Sequence, residues 1–157
     1  MSSHRNHSRV AVIEQRLLKS KAYRSLRTPT AYFVLGVFWT KRQMVKVRHN
    51  RRQEWDVSNS GEIVFTYKEA KEVYGISYGA FRSAIDELRD KGFIDIAQGG
   101  AGVFKAANLY AMSGRWKLYG TPEYEPPKPR PRGSINKGFK KGNTLGRNSK
   151  IKSTVVG

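Results

Sequence analysis

The region from Thr66 to Met112 constrains the fold most, because helix and strand signals follow one another there with only short connections. It opens with a T-x-x-E capping box formed by Thr66 and Glu69, in which each side chain reaches a backbone N–H of the first helical turn. Gly75 interrupts the helix that starts there, and Ser77 offers the N-cap of a second one. We therefore predict two consecutive helices joined by a tight turn.

The second helix is predicted over residues 78–91 and is amphipathic. Its apolar side chains recur at the spacing of one helical face and are Phe81, Ala84, Ile85 and Leu88. Gly92 follows the last turn, where a residue with left-handed backbone geometry usually ends a helix. A helix, a turn with glycine and a second amphipathic helix are typical of a helix-turn-helix.

A glycine-rich hairpin is predicted directly after the second helix. Residues 93–97 alternate as a strand, residues 99–102 form a glycine loop, and residues 108–112 return as a second strand. An apolar run over residues 63–65 precedes the first helix and is predicted to be a further strand. A hairpin in this position is a wing, so the predicted fold class is α+β, a winged helix-turn-helix.

The rest of the chain is predicted to complete one domain and to add two tails. Thr28-Pro29 is a strong helix start, and residues 30–44 are apolar nearly all round, as expected of a central buried helix. Residues 1–21 form a basic N-terminal arm, which either touches DNA or packs on the core as a helix. The winged-helix domain spans residues 22–124. Residues 125–157 form a basic Pro/Gly-rich tail that we expect to be disordered and without a packed partner.

Two polar stretches before the first strand allow alternative interpretations. Residues 41–52 carry six cations and form either a solvated loop or frayed helix end, or a patch that contacts a nucleic-acid backbone. Residues 54–57, the polar turn over residues 58–61 and residues 62–65 form either a hairpin or a single strand after a loop.

Charge indicates the class of partner. The 157 residues include 30 Lys and Arg against 12 Asp and Glu, which gives a formal net charge of +18. Residues 61–120 carry only +1, whereas residues 1–60 carry +10 and residues 121–157 carry +7. A near-neutral centre between two cationic segments is typical of a protein that binds phosphates, because each neutralised phosphate releases condensed counterions. We therefore expect a nucleic acid as the partner, and double-stranded DNA before RNA.

Several other classes of protein lack support in the sequence. The absence of cysteine excludes disulfides and thiolate metal sites. No apolar run approaches the roughly 18 residues that cross a membrane, and the amino terminus lacks the apolar core of a secretory signal. We therefore expect a cytoplasmic, nucleoid-associated protein. His4, His7 and His49 lack metal-ligand spacing, so we expect no catalytic residue, no metal, no cofactor and no enzyme activity.

The outward face of helix 78–91 is the predicted recognition surface, because the first turns of this helix meet base edges in helix-turn-helix proteins. Arg82 can donate to guanine O6 and N7 together, Ser83 can donate or accept, and Gly79 allows a close approach. Tyr78 either binds a phosphate or closes the seam between the helices. The full predicted set of DNA-binding residues is Ser77, Tyr78, Gly79, Arg82, Ser83, Lys105, Arg48, Arg51, Arg52, Lys128, Arg130, Arg132, Lys140 and Lys141.

The same helix carries charged residues near its carboxyl end. Asp86 and Asp90, together with Arg89 and Lys91, are interpreted as a solvated and partly self-paired face. A metal site built from the carboxylates of Asp86, Glu87 and Asp90 is the weaker interpretation.

These features resemble a known family. The order of a helix, a strand, FTYKEAKEVYGISYGAFRSAIDELRDKGFIDI, a glycine loop and LYAMSGRW resembles small bacterial winged-helix proteins of plasmids, phages and integrated elements. It is also similar to the winged-helix domains of plasmid replication initiators. The matching residues are Ala84, Ile85, Leu88, Gly92, Phe93, Ile94, Asp95, Tyr110, Ser113 and Trp116. The resemblance covers residues 22–124.

The resemblance implies DNA binding, as a transcription regulator or an accessory replication factor of a mobile element. Full initiators have a second winged-helix domain, for which this chain has no room. Two other classes of function remain open. One is an RNA-binding or ribosome-associated basic protein that uses the fold as a rigid platform, and the other is a protein–protein adaptor. No sequence feature indicates an oligomeric state.

Overall fold

The computed structural model describes residues 11–49, 51–100 and 107–130 of the chain. Its architecture is mixed α+β, as predicted. The helices are α1 (Gln15–Lys19), α2 (Lys21–Arg24), α3 (Pro29–Lys41), α4 (Tyr67–Glu72), α5 (Tyr78–Asp90) and a 3₁₀ helix (Arg115–Leu118). The strands are β1 (Met44–His49), β2 (Arg52–Val57), β3 (Ile63–Val64), β4 (Ile94–Gln98) and β5 (Leu109–Met112).

Helix α3 is the centre of the core. The Thr28 hydroxyl accepts a hydrogen bond from the backbone N–H of Ala31 at 3.2 Å, and Pro29 occupies the first helical turn. Both features were predicted from the Thr-Pro pair. The helix ends at Lys41, three residues before the predicted end, because Arg42 adopts an extended backbone that leads into β1. Its buried side chains are Ala31, Val34, Leu35, Val37, Phe38 and Trp39.

Helices α4 and α5 begin at the predicted caps. The Thr66 hydroxyl accepts from the N–H of Glu69 at 3.0 Å, and the Ser77 hydroxyl accepts from the N–H of Ala80 at 3.3 Å. The reciprocal half of the predicted capping box is replaced by another contact. The carboxylate of Glu69 forms a salt bridge with Nζ of Lys41 at 2.6 Å, which joins α4 to the end of α3.

Two glycines end these helices in the left-handed region, where a side chain would be strained. Gly75 has a φ of 67° in the turn between α4 and α5, and Gly92 has a φ of 83° after α5. The predicted inward residues of α5, namely Phe81, Ala84, Ile85 and Leu88, are all buried. The helix phase assigned from the sequence is therefore confirmed.

A three-stranded antiparallel sheet closes the core with the strand order β3-β5-β4. Strands β4 and β5 are the predicted hairpin, and residues 101–106 of its connection lie outside the described part of the chain. Tyr110 of β5 is fully buried and meets Phe38 edge to face, with 5.2 Å between the ring centroids. This contact packs the sheet against α3.

An aromatic series continues the core from α3 to α5. Phe65 lies 5.6 Å from Phe38 and 4.7 Å from Phe81 between ring centroids, in edge-to-face geometry. Edge-to-face pairs are favoured because the positive ring edge meets the negative face. Leu17 of α1 and Ala22 of α2 are buried in the same core. The N-terminal segment was predicted either to touch DNA or to pack on the core as a helix. Residues 15–24 show the second arrangement.

Residues 41–52 differ from the predicted loop or frayed helix end. They contribute β1 and the start of β2, which pair antiparallel as a hairpin with Lys46 opposite Trp55. The proposed hairpin between residues 54–57 and 62–65 is therefore wrong, and the alternative of a strand after a loop holds for β3. The valines of β1 alternate with the period of two that is typical of a β-strand. Because cations lie between and beside them, the segment was interpreted as a run of charges and not as a strand.

The tail also differs from the prediction over its first residues. Arg115 donates from Nη1 to the carbonyl of Glu125 at 3.0 Å, and Arg89 donates from Nη2 to the carbonyl of Lys128 at 2.6 Å. Residues 125–130 therefore pack beside α5, whereas we expected the whole tail to lack a packed partner. The expectations for residues 1–10 and 131–157 lie outside the described residues.

Candidate nucleic-acid interface

The start of α5 exposes the five residues that were predicted there for recognition. Ser77, Tyr78, Gly79, Arg82 and Ser83 are all exposed. By helical periodicity Gly79, Arg82 and Ser83 point away from the buried face, whereas Tyr78 flanks that face and Ser77 is the N-cap. Gly79, Arg82 and Ser83 lie on one side of the first two turns, so a single surface displays these three together.

Tyr78 has the second of its two predicted positions. Its ring stacks on the ring of Tyr67 in α4, with 4.2 Å between the centroids, while more than half of the side chain stays exposed. Tyr67 in turn meets Phe81 edge to face at 5.0 Å. The aromatic seam between α4 and α5 therefore extends from the core to the outer surface and holds the start of α5 in place.

Arg82 is an exposed cation on this face. Across residues 11–49, 51–100 and 107–130, no carboxylate lies within salt-bridge distance of its guanidinium. Its charge and its five N–H donors are not engaged by an acidic side chain of the described chain. Arg82 therefore offers a planar donor group to an external acceptor.

Asp86 lies one turn further along α5, where a carboxylate would repel a phosphate. Nε of Arg130 donates to Oδ1 of Asp86 at 3.0 Å, and Nη1 of Arg89 lies 3.6 Å from the same oxygen. Partial burial lowers the pKa of Arg130, but the hydrogen bond and charge of Asp86, together with those of Tyr67, outweigh the effect of burial, so the pKa is raised overall. The packed end of the tail thus counters the negative charge on the outward side of α5.

The prediction that the charged residues near the carboxyl end of α5 form a solvated face is wrong for Arg89. It is only 6% exposed, and its Nε has no hydrogen-bond partner among the residues that the structure describes. Its position, four residues after Ile85, puts it at the edge of the apolar face, where residues 125–130 cover it. Glu87 is also engaged, because Oε2 accepts from the Thr28 hydroxyl at 3.2 Å.

Arg115 is a structural residue that the sequence reasoning did not select. It donates from Nη2 to Oδ1 of Asp95 at 2.5 Å and to the carbonyl of Arg89 at 3.2 Å. Its Nη1 donates to the hydroxyl of Tyr124 at 3.2 Å. Arg115 therefore joins β4, the end of α5 and the start of the tail. Asp95 and Arg115 are twenty residues apart, so no local motif marked the pair.

The remaining predicted cations belong to two other parts of the chain. Arg48, Arg51 and Arg52 are exposed at the turn end of the β1–β2 hairpin, where Arg51 has a φ of 66°. Lys128 is exposed beside α5. Lys105, Arg132, Lys140 and Lys141 lie outside the described residues.

Among the described residues, the acidic and histidine side chains form no group of three or more that could hold a metal ion. Within the same ranges, no helix has the length and apolar character needed to cross a membrane. No protein-family model matches the chain, and neither a curated protein nor a solved structure does. The arguments for function therefore depend on the chain's own geometry and charge.

Proposed function

We propose that this protein is a winged helix-turn-helix that binds double-stranded DNA through α5, with full or partial sequence specificity. One observation carries the proposal: the exposed face of α5 presents Arg82, which no acidic side chain of the described residues engages. In this proposal α4 and α5 are the helix-turn-helix, and the β4–β5 hairpin is the wing. The element order α3-β3-α4-α5-β4-β5 and the sheet order β3-β5-β4 support it.

Recognition would use the first two turns of α5. The major groove of B-DNA is about 12 Å wide and admits an α-helix. Arg82 would donate to O6 and N7 of one guanine, while the Ser83 hydroxyl would donate to or accept from a neighbouring base. Gly79 is exposed and has open space where a Cβ would lie, so the helix backbone could approach the groove floor there.

Phosphate contacts would position the helix without reading sequence. The cations suited to this role are Arg48, Arg51 and Arg52 on the hairpin, together with those of the tail. A net charge of +18 predicts a strong dependence of affinity on salt, because each phosphate contact releases condensed counterions. The sequence resemblance suggests a transcription regulator or an accessory replication factor of a mobile element.

The test starts with selection of preferred duplexes from a random library by the full-length protein. Affinity is then measured at one salt concentration for a selected duplex, for a scrambled duplex of equal length and for a structured RNA. We expect the wild type to prefer the selected duplex, and the Arg82→Ala variant to lose most of that preference. A wild type without sequence preference, or with tighter binding to the RNA, would instead favour an RNA-binding or ribosome-associated protein.

A further inference from the structure

The two faces of the β1–β2 hairpin differ in charge. Strand alternation and the observed register place Met44, Lys46, Arg48, Gln53, Trp55 and Val57 on one face, which we call the Trp55 face. The Trp55 face has two cations and no carboxylate. Glu54 and Asp56 both belong to the opposite face, where Arg52 is the cation of β2. Along the strands the Trp55 face therefore suits a polyanion better than the opposite face does.

Trp55 is the largest apolar group on this face and is 61% exposed. Lys46 lies directly opposite it in the register, and its Nζ is 5.1 Å from the centroid of the indole. Removing an exposed indole from water is favourable, so a ligand that covers the ring gains binding free energy from its burial. The ligand should be flat and apolar where it meets the ring, and negatively charged where it meets the cations.

A cavity of about 340 Å³ lies beside the indole. Its apolar lining comes from Ala11, Val12, Trp39, Met44 and Trp55 itself, and its charged lining is Glu14 and Arg42. The guanidinium of Arg42 donates to the carbonyl of Val12, which holds the N-terminal segment at this edge of the hairpin. The indole thus forms one wall of a concave, mainly apolar site rather than an isolated exposed ring.

We propose that the Trp55 face binds an unpaired nucleotide of a single-stranded nucleic acid. The base stacks on the indole of Trp55, and Lys46 and Arg48 contact the neighbouring phosphates. Aromatic rings flanked by cations bind single strands in this way because every base has a flat π-face. In a duplex the bases are stacked on one another, so their faces are not accessible to the indole. The site uses no residue of α5, and it shares only Arg48 with the residues proposed for duplex binding. It therefore does not depend on recognition of a duplex by α5.

Tryptophan fluorescence of the full-length protein tests this directly. Trp55 is 61% exposed, whereas Trp39, which also lines the cavity, is 5% exposed and Trp116 is 9% exposed, so a change in emission on binding should come mainly from Trp55. Titration with a short oligothymidylate should quench the emission of the wild type, and a duplex at equal phosphate concentration should quench it much less. Equal quenching by both would overturn the proposal, because it would indicate attraction to phosphate alone.

Substitutions separate stacking from charge. Trp55→Leu should weaken binding of a labelled oligothymidylate about 5- to 150-fold, as substitution of a stacked aromatic does, whereas Trp55→Phe should keep most of the affinity. Lys46→Gln should weaken binding, and Glu54→Gln on the opposite face should not. Unchanged affinity in the Trp55→Leu variant, with an unchanged melting curve, would also overturn the proposal.

Two further measurements identify the ligand and exclude self-association. Oligouridylate in place of oligothymidylate shows whether RNA or DNA is preferred, and binding of either one through Trp55 supports the proposal. Sedimentation of the wild type and of Trp55→Leu shows whether the face joins two copies of the chain, which would contradict it. The affinity of Trp55→Leu for duplex DNA, measured on the same preparation, should equal that of the wild type. The proposal of duplex binding by α5 and the proposal of single-strand binding by the Trp55 face are therefore tested independently.

Discussion

Arg130 contacts Asp86 across forty-four positions of sequence, and the pair lies on the outward side of α5. Both side chains are partly exposed, so the pair contributes little to the free energy of unfolding. Its main effect is on the electrostatic potential of the face, because it counters a carboxylate one turn from Arg82. The first residues of the tail thus belong to the proposed DNA-binding surface.

Arg130→Ala should therefore weaken duplex binding while changing the free energy of unfolding by less than about 1 kcal/mol. The variant removes one cation and also leaves Asp86 without this partner. Fluorescence anisotropy with a labelled duplex measures the affinity, and thermal melts measure the stability. The double variant Arg130→Ala with Asp86→Asn should recover part of the affinity. No recovery would mean that Arg130 acts only through a direct phosphate contact.

Arg82→Ala should cost about 1–3 kcal/mol of binding free energy on a preferred duplex and much less on random DNA, because alanine cannot make the bidentate hydrogen bonds to guanine. The matched control replaces Arg51 and Arg52 by alanine, which should weaken both duplexes alike because phosphate contacts carry no base information. Equal reductions in affinity on the two duplexes for Arg82→Ala would remove this residue from the set that reads the bases.

Leu88→Ala should lower the free energy of unfolding by about 2–5 kcal/mol, as truncation of buried leucines does. Leu88 is fully buried on the inner face of α5. Val73→Ala is the control, because Val73 is exposed and the change should stay within about 0.5 kcal/mol. Urea or thermal melts followed by circular dichroism measure both, and similar melts for the two variants would contradict the packing of α5.

Alanine at Gly92 and at Gly36 should have opposite effects on stability. At Gly92 the φ is 83°, and a Cβ would lie 2.7 Å from the backbone nitrogen of Trp116, so Gly92→Ala should destabilise. Gly36 lies within α3 and has nothing within 4 Å of an added Cβ, so Gly36→Ala should stabilise by up to about 1 kcal/mol. Differential scanning calorimetry of the two variants checks both signs.

Removal of residues 131–157 should weaken duplex binding without changing the melting temperature. This segment contains seven cationic and no acidic side chains. For every phosphate that the shortened protein no longer neutralises, the slope of log affinity against log salt should become flatter by about 0.9. The cut falls after Arg130, because residues 125–130 contact α5 and Arg115. Binding with an unchanged salt slope would show that the segment does not bind phosphates.

Local signals in the sequence determined much of the fold. The caps at Thr28, Thr66 and Ser77 depend on a side chain and an N–H only three residues away, so they could be predicted from short motifs. The apolar spacing from Phe81 to Leu88 likewise depends only on the helical period, and it placed the inner face of α5 correctly. These local signals predicted the ends of helices less accurately, because α3 ends three residues earlier than its apolar pattern predicted.

The tertiary structure alone decided contacts between residues distant in sequence. The pairing of β1 with β2 was not predicted, because the cations of these strands were interpreted as a charge run. This pairing places Lys46 opposite Trp55, with its ammonium group over the indole. Arg89 is of a residue type usually found at the surface, yet it is buried because residues 125–130 cover it. The pair between Asp86 and Arg130 has no local signature, since the two residues meet only after α5 and the tail have packed. Short-range hydrogen bonds and helical periodicity are encoded within a few residues, whereas burial and charge pairing across the chain depend on the whole fold.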